Sequence, residues 1–368
     1  MNFDSKIYIA GHRGLVGSAI LRNLKKRGYT KLITRTSKEL DLRVQARADR
    51  FFKKEQPEHV FLSAAKVGGI LSNNTYKADF IYDNIMIAAN VIHSAYNYGV
   101  KKLLNLGSSC IYPKFSSQPM KEDYLLTGSL EPTNEPYAVA KISAIKLCRY
   151  FNEQYGTNFL SVMPTNLYGP HDNFNLETSH VLPALIRKMY LGKCLQNDDF
   201  NTMRKDLQKY PIRNYDVTEI NDKEITNLLS RCGIKTGSSS LSTAVEIWGS
   251  GKPYREFLYV DDLADACVFL MEHYDYKDIG EFINIGAGKD IEIRELAELV
   301  KDTIGFEGEI QYDLSKPDGT PRKLLDSSRI NSLGWKPKTS LEEGIKKTFQ
   351  WYISSLSACQ LVSLISLC

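Results

Sequence analysis

The chain has 368 residues, 43% hydrophobic and 24% charged, which is the balance of a globular protein with one large domain and a smaller lobe. A net charge of +4 is too small to indicate a nucleic-acid partner and suits an anionic small substrate. No apolar run is as long as a membrane span, no C-x-x-C pair occurs among the cysteines, and no signal-peptide core precedes the first predicted strand. We therefore expect a cytoplasmic protein with free thiols and without metal, membrane or nucleic-acid partners.

In the first half of the chain, short apolar runs alternate with helical patterns. Strands are predicted at 6–10, 31–35, 59–65, 102–106 and 158–164, and helices at 18–27, 44–54, 80–99 and 137–155. This alternation predicts an α/β fold built on a doubly wound parallel sheet of the Rossmann type.

The rhythm changes after about residue 174. A helix is predicted at 180–191, and the polar stretch 197–243 predicts an insertion or mobile flap with one helix at 219–231. Order returns with a strand at 244–249, a helix at 260–273, a strand at 282–285 and a helix at 293–304. We expect a dinucleotide-binding domain over 1–175, rejoined by part of 244–290. A substrate-binding lobe is expected over 176–352, followed by a docked or frayed apolar tail at 353–368.

A glycine turn, Gly11-x-x-Gly14-x-x-Gly17, lies between the first predicted strand and helix. In this context glycines let the backbone approach a pyrophosphate, and the helix N-terminus favours its charge, so the turn predicts a dinucleotide site. The second strand is followed by no nearby acid for a ribose hydroxyl, whereas Arg13 and Arg35 are available to a 2′-phosphate. The turn therefore favours NADP, although Arg35 also fits a solvated surface charge.

Tyr137 and Lys141 are four residues apart on one predicted helix, so they share a face. A neighbouring ammonium lowers the pKa of a phenol, which allows proton transfer near neutral pH. Ser108 follows the strand at 102–106, at the sheet edge where ligands bind, and its hydroxyl can contact a carbonyl. A dinucleotide site with this set predicts hydride transfer to or from a carbonyl or alcohol.

Two further residues have both an ordinary and a chemical interpretation. Cys110 lies in the same loop as Ser108, where a thiolate can remove a proton next to a carbonyl, but a lone cysteine is more often core packing. His180 precedes a helix that is predicted to start at Val181 and fits either a capping residue or a proton donor.

The later lobe offers candidates for a nucleotide-sugar. Lys188, Arg255 and Arg322 are cations for a diphosphate, Trp248 is a surface for a base or sugar ring, and Asp318 is an acceptor for hydroxyls. Each of these also fits a solvated or structural residue.

Several long blocks match a known family. Beyond the glycine turn and Tyr137-x-x-x-Lys141, they are the runs at 10–14, 64–70, 107–114, 131–138, 163–174 and 315–323. Over about residues 6–352 the chain resembles the GDP-L-fucose synthases, a branch of the extended short-chain dehydrogenase/reductases.

The resemblance implies a bifunctional enzyme, both an isomerase and an oxidoreductase. It would epimerise GDP-4-keto-6-deoxy-D-mannose at C3 and C5 and reduce C4 with NADPH, giving GDP-L-fucose. Cys110 would be the base and His180 the acid of epimerisation, Tyr137 and Ser108 would act on the ketone, and Lys141 would support Tyr137 and the nicotinamide ribose.

The resemblance also assigns binding positions and an oligomeric state. The GDP-sugar would contact Lys188, Trp248, Arg255 and Asp318. NADP would contact Gly11, His12, Arg13, Gly14, Leu15, Val16, Gly17, Arg35, Asp41, Leu42, Leu106, Gly107, Ser108, Ser109, Lys141, Pro164, Thr165, Asn166, Leu167 and His180. Family members are commonly homodimers that pack through two long helices, here 80–99 and 137–155.

Two other hypotheses stay open. One is a different NAD(P)-dependent nucleotide-sugar epimerase or reductase, against which the pair Cys110 and His180 argues, because 4-epimerases that move a hydride out and back need no such pair. The other is a non-catalytic dinucleotide-binding protein, against which the intact Ser108, Tyr137 and Lys141 set argues.

Overall fold

The structure, a computed structural model, describes residues 1–212, 215, 220–237 and 243–357. The strands are β1 Ile7–Ala10, β2 Leu32–Ile33, β3 His59–Leu62, β4 Lys102–Leu106, β5 Phe159–Pro164, β6 Asn166–Tyr168, β7 Ile234–Thr236, β8 Thr243–Trp248, β9 Tyr254–Tyr259, β10 Ile283–Ile285, β11 Asp290–Glu292, β12 Glu309–Asp313 and β13 Arg322–Lys323. The helices are α1 Leu15–Lys26, α2 Gln45–Glu55, α3 Ile70–Thr75, α4 Lys77–Asn97, α5 Glu135–Tyr155, α6 Val181–Gln196, α7 Phe200–Lys209, α8 Asp222–Arg231, α9 Val260–His273, α10 Tyr276–Ile279, α11 Ile293–Ile304, α12 Ser328–Ser332 and α13 Leu341–Ser357.

The chain forms two compact units. The first unit contains Met1–Leu167, Glu256–Asp290 and Lys323–Thr339, and the second contains Tyr168–Arg255, Ile291–Arg322 and the chain from Ser340 on. The chain thus returns to the first unit twice. The second return, at Lys323–Thr339, was placed in the later lobe by the sequence analysis.

The first unit is built on a six-stranded sheet in the order β10-β5-β4-β3-β1-β2, with every neighbouring pair parallel. Because β2 lies on one side of β1 and β3 on the other, the strand order reverses at β1. In open parallel sheets, ligands bind at the carboxyl ends of the strands next to such a reversal. The predicted doubly wound α/β fold is confirmed.

Both faces of this sheet are covered, as its almost uninterrupted apolar strands require. Alternate residues of β1 enter different cores: Ile7 and Ile9 belong to a cluster with residues of α1 and α9, and Tyr8 and Ala10 to one with residues of α2, α4 and α5. This alternation follows from the two-residue period of a strand. Because both faces are covered, the carboxyl ends of the strands and the loops that follow them are the part of the sheet at which a ligand can bind.

The second unit contains a three-stranded sheet in which β8 pairs in parallel with β12 and antiparallel with β7. Two helices of the stretch predicted as an insertion or mobile flap at 197–243, α7 and α8, are instead part of this unit's core. Met203 and Leu207 of α7 and Leu228 of α8 are buried in one cluster with Leu191 and Leu195 of α6. The prediction of a mobile flap was wrong for these two helices because α7 has few apolar positions, and some of the residues it packs against, such as Leu191 and Leu195 of α6, lie outside the polar stretch.

The C-terminal part of the described chain is a helix rather than a tail. Helix α13 runs to Ser357 and buries Tyr352 and Leu356. Of the predicted 353–368 tail, residues 358–368 lie outside the described residues, as do 213–214, 216–219 and 238–242 of the polar stretch, including the predicted start of its helix at 219. Across the ranges that the structure describes, no helix has both the length and the apolar character needed to cross a bilayer.

Candidate functional site

The glycine turn connects β1 to α1 and forms a tight backbone cradle. Gly11 has φ of +85°, and a side chain there would place its Cβ 2.8 Å from the backbone nitrogen of Ala64. A Cβ on Gly17 would lie 2.2 Å from the carbonyl oxygen of Gly11, whereas one on Gly14 would lie 3.6 Å from the same oxygen, an ordinary contact distance. Gly14 is the N-cap of α1. Because glycine has no side chain that could cap the helix, the first amides of α1 are available to an anion. Leu15 and Val16 form the first turn.

The residues around the predicted 2′-phosphate position are only partly as expected. Arg35 forms an ion pair with Glu55 at 2.7 Å and donates to the Thr34 carbonyl oxygen, so it is a paired side chain rather than a free phosphate ligand. The residues next to Arg35 in sequence could not predict this ion pair, because Glu55 lies on α2, 20 residues later. Asp41 pairs with Arg43 at 2.9 Å, and this arginine lowers the pKa of its carboxyl.

Arg13 and His12 remain at the turn itself. The Nδ1 atom of His12 is buried and has no hydrogen-bond partner among the described residues. Burial, followed by the charge of Arg13, lowers the pKa of His12. A buried ring nitrogen without a partner, beside a cation and a glycine cradle, fits a site that accepts a dinucleotide phosphate.

The carboxyl end of β4 carries the second group of predicted residues. Gly107 has no room for a side chain, since its Cβ would lie 2.1 Å from the terminal carbon of Met163. Ser108 then caps a short 3-10 turn, Ser109–Ile111, by accepting a hydrogen bond from the Cys110 amide at 3.3 Å. Ser109 is buried and Cys110 is partly exposed. The turn therefore fixes the hydroxyl of Ser108 against the backbone of Cys110.

Helix α5 brings Tyr137 and Lys141 to the same place. Tyr137 hydrogen-bonds Ser108, and its pKa is raised by burial and, to a smaller extent, by Cys110. The ammonium of Lys141 donates to the Leu106 carbonyl oxygen at 2.6 Å and lies 5.7 Å from the centre of the Tyr137 ring. Burial lowers the pKa of Lys141 to about 8.

One expectation about this pair was wrong. The i,i+4 spacing predicts that Lys141 lowers the pKa of Tyr137, but in the structure burial dominates and the pKa of Tyr137 is raised. The ammonium is directed to a backbone carbonyl oxygen instead of to the phenol oxygen. Tyr137 therefore stays protonated at neutral pH, which is the state that a proton donor to a ketone requires.

The remaining predicted cofactor residues of the first unit line the ends of β5 and the loop after β2. Pro164 ends β5, and Leu42 is buried with its carbonyl oxygen accepting from Asn90. Thr165 and Asn166 both donate to the Glu256 carbonyl oxygen, Asn166 at 2.8 Å. Leu167 packs against the core that contains β1, so the segment is held in place by side chains as well as by strand pairing.

The second unit holds the predicted acid and sugar-nucleotide residues. His180 is exposed and is the N-cap of α6, which starts at Val181 as predicted. Lys188, about two turns further on, donates to the Glu246 carbonyl oxygen at 2.8 Å, and burial lowers its pKa.

Three more of the predicted residues lie on β8, on β9 and in the loop after β12. Trp248 is 52% exposed, and the Lys316 ammonium lies 5.6 Å from its ring centre. Asp318 accepts from the Ser250 amide at 2.6 Å and hydroxyl at 2.8 Å, and these hydrogen bonds lower its pKa. The charge of Arg255 acts in the same direction on Asp318, which places the two residues near each other.

Two residues next to Cys110 were missed by sequence reasoning. The amide nitrogen of Asn134 lies 3.4 Å from the Cys110 sulfur, and the ammonium of Lys323 lies 3.7 Å from it. They are 24 and 213 positions away in sequence, so no local spacing could have connected them to the thiol.

A parallel sheet with a glycine cradle and a Ser-Tyr-Lys set at the carboxyl end of its strands defines a nicotinamide-dependent oxidoreductase of the Rossmann class. The chain belongs to the NAD dependent epimerase/dehydratase family, whose sequence profile matches residues 7–207 and 216–286.

Similar proteins of known name agree with this family. The chain is 52% identical over 353 residues to GDP-L-fucose synthase 1 of Arabidopsis thaliana, covering 96% of this chain and 94% of the relative. A structure of a GDP-mannoheptose C4 reductase from Campylobacter jejuni with NADP bound is 42% identical, with a TM-score of 0.82 and coverage of 96% and 99%. A GDP-L-fucose synthetase from Naegleria fowleri bound to NADP is 29% identical, with a TM-score of 0.77 and coverage of 97% and 96%.

Proposed function

We propose that this protein is a GDP-L-fucose synthase that epimerises GDP-4-keto-6-deoxy-D-mannose at C3 and C5 and reduces C4 with NADPH. The observation that carries the proposal is the convergence of Ser108, Cys110, Tyr137 and Lys141 in the first unit. A phenol for the ketone, a hydroxyl beside it and a thiol at the same turn are the groups that a reduction and a proton abstraction next to a ketone both need. The relatives reported above support the sugar and its GDP carrier.

NADPH is the proposed cofactor and, when bound, supplies the hydride for C4. The glycine cradle at Gly11 and Gly17, the first amides of α1, Arg13, and the buried Nδ1 atom of His12 are the groups that would hold it. Two of the similar structures contain NADP, which supports the same choice here.

The protein's own residues would act in two stages. In epimerisation, Cys110 takes a proton from the carbon beside the ketone, and the electron pair of the C–H bond moves onto the ketone oxygen, where Ser108 and Tyr137 donate hydrogen bonds. His180, assigned on the family resemblance, returns a proton to the opposite face. In reduction, Tyr137 gives its proton to the C4 oxygen, and Lys141 supports the phenol and the cofactor.

The GDP-sugar would be held by residues of the second unit. Trp248 presents an exposed indole face that can stack a ring, Lys188 and Arg255 carry positive charge for phosphate oxygens, and Asp318 can accept from hydroxyl groups.

The decisive assay is NADPH oxidation with GDP-4-keto-6-deoxymannose beside its UDP and dTDP analogues. The proposal requires the GDP substrate to be preferred and the product to be GDP-L-fucose by chromatography and NMR. A product reduced at C4 but not inverted at C3 and C5 would instead identify a GDP-sugar C4 reductase, the activity that the similar Campylobacter structure is named for. A Tyr137→Phe protein with unchanged turnover would remove the enzymatic interpretation altogether.

We also propose a cytoplasmic homodimer that packs through α4 and α5. Each helix presents one face of partly exposed, mostly apolar side chains at helical spacing, and Tyr82 and Tyr150 on these faces are 62% and 54% exposed. Two such faces on adjacent helices suit a four-helix contact with a second copy. Light scattering after size exclusion would show a dimer that Tyr82→Glu weakens. The free thiols at five described cysteines support a reducing compartment.

A further inference from the structure

The sulfur of Cys110 is contacted by two donors that come from separate parts of the first unit. Asn134 directs its side-chain nitrogen to the sulfur at 3.4 Å, and Lys323 directs its ammonium at 3.7 Å. Neither residue belongs to the dinucleotide cradle or to the Ser-Tyr-Lys set. A buried structural thiol in a core would be surrounded by apolar carbon, as Cys267 is, and would not attract an amide and an ammonium.

Asn134 occupies a position where an asparagine ordinarily has another task. It is the N-cap of α5, and its carbonyl oxygen accepts from the Ala138 amide at 3.0 Å, but its side chain makes no capping hydrogen bond. Asparagine is favoured at N-caps because its side-chain oxygen accepts from the first free amides of the helix. Here the side chain faces the thiol instead, so its contact with Cys110 replaces the usual stabilising one.

Lys323 is delivered to the sulfur by a firmly held segment. The amide of Leu324 donates to Gln118 at 2.9 Å, and the amide of Leu325 donates to the buried carboxylate of Glu256 at 3.0 Å. These hydrogen bonds fix the backbone on the C-terminal side of Lys323, from which its half-buried side chain extends to Cys110. Among the described residues Lys323 forms no ion pair with a carboxylate, so its charge is not neutralised.

The charges that face the thiol are therefore mostly positive. Lys323 is joined by Lys141, whose charge interacts with Cys110, and the neutral phenol of Tyr137 lies on the same side. A nearby ammonium stabilises a thiolate relative to a thiol, and an amide N–H can add a hydrogen bond to the anionic sulfur.

We propose that Asn134 and Lys323 are positioning residues that hold Cys110 as a thiolate, aimed to remove the proton beside the ketone. This inference rests on the proposed function for the identity of the substrate, but not for the state of the thiol. In the step they support, the thiolate accepts the proton and becomes a thiol, and the C–H electron pair becomes the enolate. The reduction at C4 uses Tyr137 and needs neither residue.

The test compares Lys323→Met with Lys323→Arg and with the exposed control Lys121→Met. The first readout is the rate at which iodoacetamide modifies Cys110 in the substrate-free protein at pH 7.5, followed by peptide mass spectrometry. We expect Lys323→Met to lower this rate about tenfold, because the thiolate is the reacting species, while Lys323→Arg stays within about threefold and Lys121→Met within about twofold of wild type. An unchanged rate in Lys323→Met would overturn the inference.

The second readout separates the two chemical steps. Deuterium uptake at C3 and C5 from heavy water measures proton removal. Oxidation of GDP-L-fucose by NADP⁺ measures hydride transfer at C4 and involves no proton removal at C3 or C5. We expect the ratio of the first rate to the second to fall about tenfold in Lys323→Met and to be restored in Lys323→Arg. Slower alkylation with an unchanged ratio would refute the role in proton removal.

Folding and function failures can be told apart. Circular dichroism and thermal unfolding accompany each variant, and Asn134→Ala, in a different segment, is a second test that should also slow alkylation. If the wild-type protein forms no GDP-L-fucose, the proposed function fails, and the alkylation contrast alone still decides whether Lys323 and Asn134 control the thiol.

Discussion

Replacing Arg187 with methionine should strongly destabilise the second unit. Its side chain is fully buried, and its Nη2 atom lies 2.7 Å from the carboxylate of the equally buried Asp206. The other guanidinium contacts go to the carbonyl oxygens of Phe174 at 3.0 Å and Tyr210 at 2.5 Å. Tyr352 donates to the second oxygen of Asp206, so a helix of the polar stretch and the C-terminal helix are both tied to this cluster.

The magnitude follows from what the substitution leaves behind. Breaking a buried ion pair by removing one partner costs about 3–5 kcal/mol, because the remaining charge is buried without compensation. The two carbonyl hydrogen bonds contribute about 1 kcal/mol each and partly overlap with that figure. We expect a loss of about 4 kcal/mol for Arg187→Met, a large fraction of the roughly 5–15 kcal/mol of a typical domain. Burial already raises the pKa of Asp206 and Arg187 opposes it, so the loss should shrink as the pH falls and the carboxyl becomes protonated.

Urea unfolding followed by tryptophan fluorescence is a suitable assay. Trp351 lies 6.2 Å from Phe174, measured between ring centres, and therefore reports on this core. The matched control is Arg231→Met at an exposed position on α8, which should change the unfolding free energy by less than about 0.5 kcal/mol. In the double variant Arg187→Met with Asp206→Leu, removal of the stranded charge should recover about 2 kcal/mol. A loss below about 1 kcal/mol for Arg187→Met, or a double variant that is merely additive, would refute the reasoning.

Of three further predictions, two concern Lys141 and Gly17 in the first unit, and the third concerns the buried carboxyl of Asp172. Burial lowers the pKa of Lys141 to about 8 and raises that of Tyr137, so the C4 reduction rate should fall as pH rises through about 8 because Lys141 loses its proton. Lys141→Arg, which stays charged, should lose this alkaline limb in a pH–rate profile, and a persisting limb would assign it to another group. Gly17→Ala should lower NADPH affinity at least tenfold by fluorescence titration and reduce thermal stability, since its Cβ would lie 2.2 Å from the Gly11 carbonyl oxygen. Gly14→Ala, with its nearest atom at 3.6 Å, should unfold near the wild-type temperature, and equal losses in both variants would contradict the cradle geometry. Burial raises the pKa of Asp172 to about 7, above its unfolded value, so its ionisation opposes folding as pH rises from about 4 to 7. Asp172→Asn should therefore raise the urea midpoint at pH 8 and leave it nearly unchanged at pH 4, and a lower midpoint at pH 8 would show that the charge has a stabilising partner.

Local periodicity was sufficient for much of the first unit. The strand at 102–106 and the helix at 260–273 were predicted with the bounds that the structure shows for β4 and α9, and in the second unit the helix at 293–304 matches α11. The glycine turn and the Tyr137–Lys141 pair could also be placed, because a strand–turn–helix connection and an i,i+4 relation are properties of a few consecutive residues. These features determine the class of the fold and the reacting end of the site.

Long-range contacts decided the rest. Arg35 is ion-paired with Glu55, a partner that its own segment could not predict, and burial raises the pKa of Tyr137 where the pairing with Lys141 predicted a lower value. The polar stretch became a core element because α7 carries Asp206 to Arg187, a partner 19 residues earlier on α6. Lys323 reaches Cys110 from 213 residues away. Spacing in a sequence fixes which side chains share a helix or strand face, but burial, ion pairing and the approach of distant segments depend on how those faces pack, and only the tertiary structure supplies that.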